Sequence, residues 1–397
     1  MGTTIKESEK HVDGSSMGDH FYDPMAVTWM EKYSDTMEKI WTKLPNYMGS
    51  IIVALAVFTL GATIRGEWLL ILVHFVKYLE YNKADGNGNA TFSLSDISLE
   101  KLYLKDLQYF WFSVSVTAYA MYFLMGGFLH WYYYVKQRDN AEEWKCQPHK
   151  WLPPDLERHE IILGSLSLLI SNTVTAIIAC YINNGGWCTV YYKFDEYTWI
   201  WWFLQFPVIF IYQDYMTYWL HRMYHTPFLY KHFHKLHHKY KQPTAFSTTA
   251  IHPVELVHIQ LILASPLFVI PVHFIPFYII MMYTYYHGII DHSGINFKAY
   301  WWQPWQPGAI FHDNHHQYFH VNFAFNCFIW DKLHGTYRRK DRIYTEEIYY
   351  GRGKELREAT EEEIKNDLQE RESENPLAYN SNKNEFKLTK DDLKKHR

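Results

Sequence analysis

Two histidine clusters stand before one long apolar stretch, residues 256–290, and a third stands after it. The clusters are His221-Arg-Met-Tyr-His225, His234-Lys-Leu-His237-His238 and His312-Asp-Asn-His315-His316. If these eight imidazoles serve one site, the stretch between them crosses a membrane twice or not at all. It is too long for a single span of about 20 residues, and Pro266, Pro271 and Pro276 lie near its middle. A tight hairpin of two helices, with the prolines at the bend, satisfies both conditions.

The spacing inside each cluster is i,i+3 or i,i+4. On an α-helix, residues that far apart point the same way. One turn can therefore aim two or three imidazoles at a common point, and three such turns can surround two metal ions. Imidazole suits zinc, copper, iron and nickel. A set of pH-sensing histidines is the rival explanation, but it does not predict repeated helical spacing. No HExxH string of a zinc protease occurs, nor do the ExxH pairs of a ferritin-like bundle.

Further candidate membrane segments are 48–64, 109–135, 161–183 and 198–220. Segment 198–220 contains Gln213, Asp214 and many aromatics, so one side of it is expected to face protein. Segment 48–64, broken by Arg65-Gly66-Glu67, either spans or lies at the interface. Aromatic residues make up 19% of the chain, with 33 Tyr and 16 Trp, as membrane-interface belts require. The net charge of −4 gives no reason to expect nucleic acid as a partner. The four cysteines, Cys146, Cys180, Cys188 and Cys327, form no CxxC motif, which favours a reducing environment. Residues 1–46 are polar and of mixed charge, unlike a cleavable signal peptide.

Loop 136–160 holds Lys136, Arg138, Lys145, Lys150 and Arg158, and loop 221–255 holds Arg222, Lys231, Lys235, Lys239 and Lys241. The opposite loop, 184–197, holds only Lys193. The excess of positive charge places the histidines in the cytosol. Residues 85–108 fall on the far side, where Asn89-Ala90-Thr91 matches a glycosylation acceptor. The fold class expected is all-α: an integral membrane protein of about four transmembrane helices in two hairpins, with a cytosolic helical cap holding the histidine-rich dimetal site. The chain divides into a polar region 1–47, an interfacial or transmembrane segment with a lumenal loop over 48–108, the membrane domain 109–340 and a charged cytosolic tail 341–397. The tail is expected to be partly helical around 353–371 and then flexible. Its end, Lys394-Lys395-His396-Arg397, is similar to a dilysine signal of endoplasmic reticulum membrane proteins.

Over roughly residues 110–340 the chain resembles the sterol desaturase/fatty acid hydroxylase superfamily of membrane di-iron oxygenases. Besides the three histidine boxes, the resemblance rests on Asp214-x3-Tyr218-Trp219-x-His221-Arg222, His252-Pro253-x-Glu255, His292-Ser293-Gly294 and Trp330-Asp331-Lys332-Leu333-His334-Gly335-Thr336. The resemblance makes the eight box histidines metal ligands, with His292 as a further one. His287, five residues earlier, is a candidate whose spacing is poor for one helical face. His252 matches a family position that orients a ligand, lines the substrate channel or coordinates the metal directly. Asp214, on the face of His221, either accepts the outer N–H of a ligand imidazole or helps helices pack. His232, His258, His273, His320 and His334 fall outside the boxes and are expected to be structural.

The resemblance implies an oxidoreductase with two iron ions that hydroxylates or desaturates a membrane lipid. The HPxE and HSG strings favour a sterol, with a fatty-acyl or sphingolipid substrate as the alternative. The ligand set does not choose between hydroxylation and desaturation; substrate position does. The chain has no HPGG haem motif and no glycine-rich dinucleotide fingerprint. Electrons are therefore expected from partners, which the resemblance implies are external cytochrome b5 and its reductase, drawing on NAD(P)H. The expected location is the endoplasmic reticulum membrane, multi-pass, with a cytosolic active site. Two other classes remain: a catalytically silent metal-binding scaffold, and a transporter, whose histidines would sit near the bilayer midplane.

Overall fold

A computed structural model describes residues 98–299, 303, 305–345, 348, 353–378 and 387–395, together with Lys43 and Met48. Segment 48–64 and the Asn89 acceptor pattern lie outside the described residues. The chain is mostly helical. Among the described residues the strands are two short pairs, Val190–Tyr191 with Val272–His273 and Arg342–Ile343 with Lys354–Glu355.

Helix α1, Leu107–Lys136, and helix α2, Pro154–Asn183, are the two among the described residues that are long and apolar enough to cross a membrane. Of their most apolar windows, only 22% and 33% is buried inside the protein, so the outward faces present apolar groups such as Phe112, Leu124, Ile162 and Leu166. The inward face of α2 carries Gly164, Ser167, Ser171 and Ala176, small residues that let a neighbour approach closely. Tyr119 Oη donates to Ser165 O (2.8 Å), and Trp111 Nε1 donates to Thr173 Oγ1 (3.0 Å). The helical ladder of α1 widens to i→i+5 bonding over Met121–Gly126 and again over His130–Lys136. Each widened turn buries one tyrosine. Tyr122 Oη donates to Phe246 O (3.1 Å), and Tyr134 Oη lies 3.0 Å from Pro243 O and 2.6 Å from Ser293 O. Both tyrosines therefore hold the loops that flank the histidines.

Helix α3, Trp199–Tyr224, starts at a Thr198 cap and ends in the first histidine box. Two of its buried polar residues, Gln205 and Gln213, bond the hairpin beside it and the end of the loop before α3. Gln205 donates to Tyr191 Oη (2.8 Å) and accepts from His273 N (2.6 Å), and Gln213 donates to Leu263 O (2.6 Å). That hairpin is α4, Pro253–Ala264, and α5, Phe274–Asp291, joined through the turn Ser265–Phe268 and residues Val272–His273. Pro266 and Pro271 lie in the bend, as the sequence predicts, while Pro276 sits in the first turn of α5. The bend pairs with Val190–Tyr191 of the loop between α2 and α3, and Thr189 N donates to Leu267 O (2.8 Å). The open end carries His252 and His292. The hairpin thus leaves from the histidines, reaches the loop between α2 and α3, and returns.

Helix α6, Ile310–Tyr318, carries the third box and is buried along its whole length. Helix α7, Glu361–Glu372, begins with a Thr360/Glu363 capping box. Helix α7 lies where the sequence predicts partial helix, 353–371, and the tail packs against the rest of the protein there. Ile364 packs with Ile343, Leu356 and Leu388, and Tyr318 Oη at the end of α6 donates to Glu374 Oε1 (2.6 Å). Asn375 N donates to Cys146 O (2.9 Å). The charged composition that reads as solvated hides an apolar stripe and two buried ion pairs.

Candidate metal centre

The nine histidines of the three boxes and His292 come together in two buried groups. His221, His225, His234, His238 and His315 form one; His237, His292, His312 and His316 form the other. Within each group, one nitrogen from every ring lies within 4.8 Å of the rest. His221 and His225 sit at the end of α3, His312, His315 and His316 on α6, and His292 just after α5. The second box, His234–Lys239, is a 3-10 turn rather than the α-helical turn expected.

On the α-helical third box the grouping follows from the H-x-x-H-H spacing; the second box shows the same grouping although in an ideal 3-10 turn i and i+3 are the residues that eclipse. Neighbouring residues on a helix diverge by about 100°, whereas i and i+4 share a face. In the second box, His234 and His238 enter the five-ring group and His237 the other. In the third box, His312 and His316 enter the four-ring group and His315 the other. Each His-His doublet therefore straddles the two groups.

The outer nitrogens fix which ring atom faces inward. Nδ1 of His221 donates to Phe323 O (2.7 Å), of His315 to Val321 O (2.6 Å), of His292 to Gly288 O (2.7 Å) and of His237 to Ala250 O (3.3 Å). Nδ1 of His234 faces Glu255 Oε1 at 2.7 Å, and Nδ1 of His225 faces His320 Nδ1 at 3.2 Å. A ring that donates from Nδ1 presents a bare lone pair at Nε2. For His237 and His292 those two lone pairs face each other at 3.3 Å. His238 Nε2 lies 3.0 Å from His234 Nε2, and His312 Nε2 lies 2.9 Å from His292 Nε2. His315 Nε2 and both nitrogens of His316 are buried without a hydrogen-bond partner. Converging, desolvated acceptors without donors are what a cation would satisfy, so the donor set fits a metal. Burial also keeps the rings neutral: His234 is pushed down to about 3 and His292 to about 4, and His237, His238, His312, His315 and His316 fall well below the ordinary range. At neutral pH no proton competes for these nitrogens.

The carbonyl partners are held by a sharp return after α6. Phe319 and Asn322 adopt φ of 62° and 57°, the left-handed region that non-glycine residues rarely occupy. This strain turns the chain back so that Val321 O reaches His315 and Phe323 O reaches His221. Asp331 locks the turn by accepting from Phe323 N (2.8 Å), Ala324 N (2.9 Å) and Thr336 Oγ1 (2.6 Å). Burial still raises its carboxyl to about 6.

Three candidates lie elsewhere. His287 is in neither group; its Nδ1 pairs with Asp291 Oδ2 at 3.0 Å, one turn along the same helix. His252 caps α4, accepting from Val254 N (3.2 Å), with its ring against Phe233. Asp214 does not take the outer N–H of an imidazole. It accepts from Asn326 N (2.9 Å), Asn326 Nδ2 (3.0 Å) and Trp330 Nε1 (2.8 Å). Seven residues separate it from His221, about 10 Å along a helix axis, so it reaches the segment after the third box instead. Sequence reasoning gave no role to Glu255 or Asp331, and it expected His320 to be structural. The first two stand inside quoted strings, and a lone carboxylate beginning an apolar helix was the available signal for Glu255.

A family model described as fatty acid hydroxylase matches residues 206–336, which contain every residue of both groups. A probable Delta(7)-sterol 5(6)-desaturase of Neurospora crassa is 32% identical over 139 residues, covering 35% of this chain and 40% of that protein. A Delta(7)-sterol 5(6)-desaturase of Gibberella zeae is 28% identical over 186 residues, covering 47% and 52%. One from Aspergillus fumigatus is 32% identical over 164 residues, covering 39% and 43%. The matches thus span about half or less of the length of these curated relatives. No solved structure matches the chain. The resemblance to the sterol desaturase/fatty acid hydroxylase superfamily, in its sterol-oxidising branch, is borne out.

Proposed function

We propose that this chain is a membrane oxidoreductase that uses O2 to hydroxylate or desaturate a membrane lipid, a sterol in first place. The observation that carries the reading is the pair of buried imidazole groups whose bare lone pairs converge without a donor. His221, His225, His234, His238 and His315 would hold one iron ion, and His237, His292, His312 and His316 the second. Bound there, iron would supply the one-electron redox chemistry that attacks an inert C–H bond, which acid–base groups cannot do.

The chain's own residues do the rest. The carbonyls of Phe323, Val321, Ala250 and Gly288 hold the rings in register, so that no ligand reorganises when charge changes. Phe323 and Phe325 pack against the rings and limit water; Phe325 lies 5.1 Å from His221 and 5.9 Å from His312, touching both groups. The named activity of the fungal relatives supports a sterol. Electrons would come from NAD(P)H through cytochrome b5 and its reductase, since the sequence carries neither a haem nor a dinucleotide motif. The excess of lysine and arginine around the first two boxes supports a cytosolic site, and an endoplasmic reticulum location follows from the resemblance. α1, α2, α3 and the α4–α5 hairpin would provide the membrane part, with the bend of the hairpin on the side of loop 184–197.

Alanine at His237 or at His315, with metal content and lipid products measured together, tests the reading. Loss of iron together with loss of an oxidised sterol is expected. Iron in the wild type with no lipid product under any condition would instead identify a silent scaffold. Altered hydroxy-lipids with unchanged sterols in cells lacking the chain would move the substrate to the fatty-acyl class.

A further inference from the structure

Among the nine gathered histidines, the outer nitrogens meet backbone carbonyls, another imidazole or no hydrogen-bond partner in every case but one. Of these nine, His234 alone is backed by a carboxylate, with Nδ1 at 2.7 Å from Glu255 Oε1. The two side chains are 1% and 2% exposed, so water does not dilute the contact. Glu255 is placed by its own helix. His252 caps α4, Pro253 opens it, and Glu255 stands in the first turn, where the helix N-terminus favours negative charge. Its second oxygen, Oε2, is buried without a hydrogen-bond partner, so His234 is the hydrogen-bond donor the structure assigns to this carboxylate.

We infer that Glu255 makes the two metal positions unequal. It is a positioning residue that acts through His234 on the five-imidazole group alone. This rests on the reading of both groups as metal positions. A carboxylate behind a ligand imidazole fixes its tautomer, orients its ring and makes its inner nitrogen a stronger donor. The four-imidazole group has only neutral support: Ala250 O behind His237 and Gly288 O behind His292. The group with one more ring and the only carboxylate support should therefore fill first and hold its ion more tightly.

The test uses the full chain purified in detergent, with Co2+ as the probe in competition against a chelator. Wild type should take two ions with separable affinities. Glu255→Ala should weaken the tighter site about 10–100-fold, the usual effect of losing such a partner, and leave the other unchanged. Glu255→Gln, which keeps an acceptor oxygen but loses the charge, should fall between. Backgrounds with one group broken assign the site. Glu255→Ala should weaken the remaining ion in a His316→Ala chain and have no effect on it in a His221→Ala chain. The cobalt absorption should change only in the first. Glu160→Gln, another buried carboxylate, lies on α2 and bonds Thr244 and Ser247; it reports general destabilisation. Equal weakening of both sites, or no change at either, would overturn the inference while leaving the metal reading intact. A wild type that binds no cobalt would overturn both.

Discussion

Replacing Glu374 with alanine should undock the C-terminal segment from the histidine cap. Glu374 Oε1 forms an ion pair with Arg338 Nη2 at 2.9 Å and accepts from Tyr318 Oη at 2.6 Å. Both partners of the ion pair have side chains that are 0% exposed. Removing one member of such a pair costs about 3–5 kcal/mol, because the other charge stays buried without compensation. Here the lower end is expected. Arg338 also stacks on the Tyr318 ring at 3.8 Å, and the Asp367 carboxylate is near enough to favour its charge. Tyr318 Oη still accepts from Gln317 Nε2 (3.2 Å), but leaving its proton without an acceptor adds about 1 kcal/mol. A loss of about 4 kcal/mol is comparable to the whole stability of many domains. The segment 361–375 should therefore open far more often while the membrane helices stay folded. Amide hydrogen exchange on that segment measures the change directly, as protection reduced by about a factor of 1,000, the equivalent of 4 kcal/mol at 25 °C. Limited proteolysis in the same stretch should follow. A change below about 0.5 kcal/mol would refute the argument, for it would mean that the pair is wet and screened as surface pairs are.

Two further outcomes follow from packing and from charge. A Cβ at Gly164 would overlap Tyr122 Oη and lie 2.9 Å from Phe246 O, so Gly164→Ala should cost about 1–3 kcal/mol in thermal unfolding; adding Tyr122→Phe should recover part of it, and strict additivity would disprove the close approach. The metal-stripped protein should lose stability as pH falls below about 6.5: burial holds His234 near 3 and His292 near 4, so the unfolded chain takes up protons that the folded one refuses. Each such ring costs about 1.4 kcal/mol by pH 5.5, so a thermal midpoint that stays flat from pH 7 to 5 would contradict the buried, neutral imidazoles.

What could be read in advance was whatever side-chain spacing encodes. On an α-helix, as at the third box, the H-x-x-H-H repeat already contains the pairing of i with i+4 and the divergence of the central residue. Parity across residues 256–290 already required a returning hairpin, and Val272–His273 pairs with Val190–Tyr191 at its bend. The packed tail was hidden for a different reason. Composition averages over α7, and its mean polarity masks Ile364, Asp367 and Arg371, which face inward every three or four residues.

Least legible were the partners behind the ligands, and the cause is physical. Four of the nine rings are oriented by backbone carbonyls, and every residue type carries a carbonyl. Only the path of the chain decides which one arrives, and near the third box that path depends on two left-handed residues, Phe319 and Asn322. Asp214 shows the converse error. Its face on α3 was read correctly, but sharing a face does not bring groups into contact two turns apart, and its carboxylate was taken by Asn326 and Trp330. A carboxylate reaches an imidazole from the sequence neighbour only when it stands one turn away, as Asp291 does for His287. Glu255 reaches His234 by a third route, through the tertiary placement of a helix start. Its partner could not be deduced from spacing, although its isolation at the head of an apolar helix already required that some donor be found for it.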